Sequence, residues 1–314
     1  MADDRESNAG LQELEPSPVE EAPETGKPEP LLQDEPVFGG NSTATLGLSS
    51  SKGALWWLTR VQRYSTYAFG AFAAAHIANT SLIPLLTQSV PASEPYLLLT
   101  RPYYQGYPFE PLLIVIPAYA HVLSGLAIRV YRRNLAAKRY GGLESEFSEG
   151  RTQGVRRWLD RRFWPAVSGT SALGWQLVPL LAGHSYLNRI LPGKSPGGSS
   201  NVSLSYVSHA FARHPVIAHI GFTLLLCVGC FHFTWGAAKW LSLSPTQSTS
   251  PPGVERQLSQ KRRWYVINAV AAGITGIWMA GSFGVIARGG RALGWVGRMF
   301  DDIYKQIPVV GSLF

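Results

Sequence analysis

Carboxylates are scarce wherever this chain is apolar. Of the 20 Asp and Glu among 314 residues, 11 fall within residues 1–40, where only Arg5 and Lys27 carry positive charge. The rest of the chain holds 26 basic against 9 acidic residues, a net of +17. A proton-coupled transporter built on paired membrane carboxylates is therefore disfavoured. Cysteine is limited to Cys227 and Cys230. Their C-x-x-C lies inside an apolar run without thioredoxin-like surroundings, so it reads as packing. No P-loop and no Ser/His/Asp arrangement is present, and no catalytic residue is assigned: the expectation is a chain that is not an enzyme. The N-terminus lacks the basic start and apolar core of a secretory signal, and its acidity is foreign to a mitochondrial presequence. Insertion into a membrane must then be directed by internal segments.

Residues 1–52 are rich in Pro, Glu, Ser and Gly and nearly free of aromatics. They cannot bury enough surface to fold alone, and read as a disordered acidic arm. Residues 53–288 read as an all-α transmembrane domain. Five stretches reach the roughly 20 apolar residues that cross a bilayer: about 62–86, 112–132, 165–190, 215–240 and 264–287. Basic residues crowd the 133–164 connection and the one after 240, so by the positive-inside tendency the arm and both basic loops face the cytosol. Membrane lipids are the expected surroundings, and the basic loops need no nucleic acid to explain them. In the last segment, 289–314, Leu293, Val296, Phe300, Ile303 and Ile307 recur at helical spacing. That pattern suits an amphipathic helix, lying in the interface or packed on the bundle.

The second and fourth spans repeat a motif. His121-Val-Leu-Ser-Gly125-Leu-Ala127 precedes Arg129, and His232-Phe-Thr-Trp-Gly236-Ala-Ala238 precedes Lys239. The span before each also carries a histidine, His76 or His184, with an asparagine soon after, Asn79 or Asn188. The two histidines of each copy stand 45 and 48 residues apart. The domain is thus a two-helix unit, duplicated, plus a fifth helix.

Histidine within an apolar helix has two readings. A neutral imidazole is an axial ligand for haem iron, and glycine four residues on clears the same helix face. Equally, glycine lets helices approach closely while histidine hydrogen-bonds across the contact. Depth counted from the ends of the apolar runs places His76 and His121 together, each about ten residues from its far end. The same count separates His184 from His232 by roughly 16 Å at about 1.5 Å per residue. Any haem site is therefore expected at His76 and His121. His209 and His214 read as solvated loop residues, and no structural metal is expected.

In the arm, Leu11 and Leu14 lead into Pro16-Ser-Pro18, and Pro28-Glu-Pro30 follows. Proline lowers the entropy lost when a disordered segment docks; an ordinary Pro-rich spacer is the other reading. Asn201-Val-Ser203 would be a glycosylation acceptor in a secretory-pathway membrane.

The duplicated H-x3-G unit, the fifth span and the acidic arm together resemble a family of fungal mitochondrial outer-membrane adapter proteins. The resemblance covers about residues 55–290. It implies a multi-pass protein with a cytosolic N-terminus, without soluble substrate, that recruits a bridge-like lipid-transfer protein through a Pro-x-Pro motif and supports mitochondrial lipid homeostasis at contact sites. Carried over, that motif is Leu11, Leu14, Pro16 and Pro18, with Pro28 and Pro30 as the second candidate. The transmembrane part is also similar to the haem-bearing anchors of succinate dehydrogenase and fumarate reductase. On the adapter reading no cofactor is needed; the alternative is a haem b transmembrane redox protein.

Overall fold

The computed structural model describes residues 53–140, 164–308 and 311–313. Among these the chain is all-helical, without a strand. Eight helices carry the architecture: α1 Ala54–Ile77, α2 Val90–Thr100, α3 Ile116–Tyr140, α4 Gly169–Ser185, α5 Leu204–Arg213, α6 Pro215–Trp240, α7 Val254–Gly281 and α8 Gly294–Tyr304. The arm, including both Pro-x-Pro motifs, and most of the first basic loop lie outside the described residues.

Local sequence accounts for several boundaries. Ser89, Ser168 and Ser203 each accept a hydrogen bond from the backbone N–H three residues on, supplying partners to the open first turns of α2, α4 and α5. Pro215 opens α6 at a position where a missing N–H costs nothing. Gly253, at φ 108°, turns the chain into α7 through a backbone region that glycine alone enters freely.

Counting any π-helical turns, four helical stretches are long and apolar enough to cross a membrane: Ala54–Thr87, Pro111–Ala137, Pro215–Gln247 and Val254–Ile286. The expected span at 165–190 is not among them. It is helical and runs on through a π-helical turn at Tyr186–Ile190, but Gln176, His184, Asn188 and Arg189 make it less apolar than the other four. The outer surfaces are apolar. On α7, Val266, Val270, Ile274 and Ile277 form an exposed stripe at helical spacing, as do Ile217, Ile220 and Leu224 on α6. Stripes of this kind belong against hydrocarbon.

The duplication is visible as packing. α1 lies along α3, and α4 lies along α6, each an antiparallel pair; α7 then packs on α6 and reaches across to the far end of the first pair. That crossing is close. Ser81 donates its hydroxyl to the Ile277 carbonyl (2.8 Å), and Ser282 donates to the Thr80 carbonyl (3.0 Å). A Cβ on Gly281 would sit 2.2 Å from the Ser81 carbonyl oxygen, so only glycine permits it.

At the end away from the basic loops, α2, α5 and α8 form a cap. Tyr206 on α5 is fully buried, stacked on Tyr304 at 4.5 Å and met edge-on by Phe300 at 5.2 Å. The C-terminal helix therefore turns its apolar face onto protein, with Phe300, Ile303 and Tyr304 in the core and Leu293 and Trp295 left outside. His209 belongs to this cap. The sequence places it in a solvated loop; in the structure it is fully buried on α5, its Nε2 2.8 Å from Asp301 Oδ1 and its Nδ1 accepting from the Ala292 N–H.

Candidate functional site

Four histidines stand inside the helix bundle, one from each of α1, α3, α4 and α6. They meet across the two copies. His76 faces His184 with ring centres 5.9 Å apart, and His121 faces His232 at 6.0 Å. His76 and His121, paired in the sequence reading, are not brought together. The ring of His121 contacts the Gln62 carbonyl on α1 at 3.2 Å, and Gln62 precedes His76 by 14 residues on that helix. At 1.5 Å per residue this separates the two levels by about 21 Å.

The reason lies in where α3 begins. With His121 opposite Gln62, antiparallel counting sets Pro111 opposite Phe72, well short of the end of the first span at Thr87. The intervening α2 and the Pro102–Gln105 turn fold back beside α1, and Tyr104 meets Phe72 at 5.4 Å. Ends of apolar runs therefore do not mark a common depth. Distance from the basic edge does. His121 lies eight residues before Arg129 and His232 seven before Lys239, and that register was legible in the sequence.

The two levels differ in chemistry. At the level nearer the basic loops, His121 Nδ1 lies 3.2 Å from the Gln62 carbonyl and His232 Nδ1 lies 3.0 Å from the Thr170 carbonyl. A carbonyl only accepts, so both rings carry their proton on Nδ1 and keep a bare lone pair on Nε2. The two contacts are equivalent in the repeat, spanning 59 and 62 residues. Gly174 makes room for one of them, because a Cβ there would lie 2.8 Å from His232 Cε1. The glycines one turn after each histidine behave differently. A Cβ on Gly125 would press only on the Gln62 side chain, and one on Gly236 would meet nothing.

At the far level the rings are held by aromatics. His76 stacks on Phe72 at 5.4 Å and lies 6.3 Å from Trp278; His184 meets Phe222 at 5.8 Å. Just beyond each histidine the helix widens into a π-helical turn, Ala78–Leu82 or Tyr186–Ile190. Such turns recur at functional positions. Among the described residues no group of three or more His, Cys, Asp or Glu is placed to hold a bare metal ion.

In the cap, Asp301 is surrounded by His209, by Arg213 Nε at 3.1 Å and by Arg291 Nη2 at 3.2 Å. Burial pushes its carboxyl pKa up, but the His209 hydrogen bond and the two guanidinium charges outweigh that and hold it below the ordinary carboxylate value. Arg189 donates to Glu110 at 2.6 Å, tying the π-helical turn after α4 to the residue preceding Pro111.

One comparison adds to this geometry. Residues 179–291 match the family model for the transmembrane domain of MDM10-complementing protein 1. The match runs from Pro179 on α4 through α5, α6 and α7, so it holds His184 and His232 but neither histidine of the first copy, nor the arm. No curated protein and no solved structure matches the chain. Together with the four apolar spans, the match to a transmembrane domain makes this a multi-pass membrane protein.

Proposed function

We propose that this chain is a mitochondrial outer-membrane adapter whose acidic arm recruits a bridge-like lipid-transfer protein, supporting lipid supply at organelle contact sites. The observation that carries the reading is the match of residues 179–291 to the transmembrane domain of MDM10-complementing protein 1. Consistent with it, the helices fold as a membrane-embedded platform, and the chemistry suited to docking a soluble partner sits in the arm. There Leu11, Leu14, Pro16 and Pro18 form the principal motif, with Pro28 and Pro30 as the second. On this reading the arm faces the cytosol and the chain catalyses no reaction.

The test uses the full-length chain in cells. Pro16→Ala with Pro18→Ala abolishes recruitment of the lipid-transfer protein to mitochondria while leaving the chain in the membrane. Undiminished recruitment by a chain lacking residues 1–40 overturns the reading. A glycosidase-sensitive mobility shift at Asn201 would place the protein in the secretory pathway and overturn the location.

A further inference from the structure

At the end away from the basic loops, most arginines are already engaged. Arg101 donates to the Val202 carbonyl at 2.8 Å, Arg189 holds Glu110, and Arg213 and Arg291 share Asp301. Arg288 and Arg298 stand apart. Both are exposed, and among the described residues neither has a hydrogen bond or an ion pair. Asp302, one turn after Arg298, is taken by Lys305 at 2.9 Å. Two unpaired cations at this end also run against the positive-inside bias, so they need a reason of their own.

Between these arginines, large apolar side chains point outward. The inner face of α8 is filled by Phe300, Ile303 and Tyr304, yet Leu293 is 82% exposed and Trp295 68%. The backbone arranges this. Gly290 and Gly294 adopt φ 84° and 62°, a region open to glycine. Between those two bends Arg291 is turned back onto Asp301, while Leu293 and Trp295, on either side of Gly294, stay outside. Trp295 and Arg298 are three residues apart and share one face of α8.

That face stands beside the membrane's edge. Arg213 meets Asp301 of α8 at 3.1 Å, and Pro215, two residues on, opens the span α6. Val216 and Ile217, in the first turn of that span, are exposed and begin its lipid-facing stripe. On α7 the corresponding stripe ends at Ile277, and Arg288 follows 11 residues later.

We infer that the α7–α8 connection and the outer face of α8 dock an acidic phospholipid of the adjoining leaflet. Trp295 and Leu293 enter at headgroup level, and Arg288 and Arg298 hold the phosphate. A guanidinium matches phosphate oxygens with paired N–H donors, and the indole ring suits the boundary between headgroup and hydrocarbon. A zwitterionic lipid brings its own cation to its phosphate; an acidic one leaves a net charge for the two unpaired arginines to neutralise. A soluble acidic partner would satisfy the arginines but would have to displace lipid from Leu293 and Trp295. Helix α8 is then two-sided, apolar towards the cap and basic-aromatic towards the bilayer. The inference uses neither the arm nor the histidines, and its failure leaves the adapter reading intact.

The test places the full-length chain in nanodiscs of phosphatidylcholine, alone or with phosphatidylglycerol, and follows hydrogen exchange over residues 288–304. Phosphatidylglycerol should slow exchange there saturably, and the protection should weaken as salt is raised. Arg288→Gln and Arg298→Gln should each raise the half-maximal mole fraction about fivefold. The double variant should lose the response while keeping the wild-type circular dichroism and unfolding midpoint in phosphatidylcholine, and Arg288→Lys with Arg298→Lys should retain it. Lys261→Gln with Arg262→Gln, at the opposite edge, should leave it unchanged. Equal exchange of the wild type in both lipids overturns the inference, as does a double glutamine variant that answers phosphatidylglycerol like the wild type. Protection by inorganic phosphate in phosphatidylcholine discs overturns it too, because the site would then take a free anion and not a lipid.

Discussion

His121 and His232 are 111 residues apart in sequence, yet their rings face each other at 6.0 Å, each anchored to a backbone carbonyl of a different helix. The contact joins corresponding members of the two copies rather than neighbours within one. The repeat is thus a structural device: each copy contributes half of each histidine level.

Gly174 tests how closely that level is packed. Gly174→Ala places a methyl group 2.8 Å from His232 Cε1, against a ring held by the Thr170 carbonyl one turn away. Overpacking of this kind costs about 1–3 kcal/mol. A lowered thermal unfolding midpoint in detergent is expected, and Gly236→Ala, with open space at its Cβ, should be nearly silent.

Gly281→Ala should be worse. Its methyl group would meet backbone, 2.2 Å from the Ser81 carbonyl oxygen, and no side-chain rotation relieves that. The helices must separate, taking with them the Ser81 and Ser282 hydrogen bonds. A loss of about 3 kcal/mol or more is expected. Protease susceptibility of the connection around residues 88–89 would report it alongside the unfolding midpoint.

Asp301→Ala removes the partner of a fully buried imidazole and leaves Arg213 and Arg291 without their carboxylate. About 3–5 kcal/mol is the usual cost of stranding one side of a buried pair. Undocking of α8 should follow, seen as increased hydrogen exchange over residues 294–304 while α6 and α7 remain protected.

The same residue gives a pH dependence. Its folded carboxyl pKa lies below the unfolded value, so the stabilisation is present at neutral pH and is lost as pH falls through the carboxylate range. The cap should loosen on acidification below about pH 4, and Asp301→Asn should remove that part of the transition. An acid limb identical in wild type and variant would show that Asp301 is not its source.

Much of the architecture was readable. Helical class follows from apolar runs too long for strands, and the duplication from H-x3-G repeated before a basic residue. Pairing of the histidines was not read correctly, because Pro111 enters α3 opposite Phe72 instead of level with Thr87. No local pattern in PYYQGYPFEP announces that the chain folds back there. His209 was missed for a related cause. A histidine in a short segment between two apolar runs reads as solvated until a distant carboxylate, Asp301, is brought beside it by α8. The segment at 165–190 shows that a helix of sufficient length is not by itself a span, since Gln176, His184, Asn188 and Arg189 dilute its apolar character.

Ser81 and Ile277 lie 196 residues apart, and the contact between them closes the far end of the first helix pair. Synthesis proceeds from the N-terminus, so α1 is made without that clasp, which cannot form until α7, the last long helix, is complete. The first half of the molecule is consequently unfinished through most of its own biogenesis. A chain interrupted anywhere before Gly281 would leave that half without its clasp.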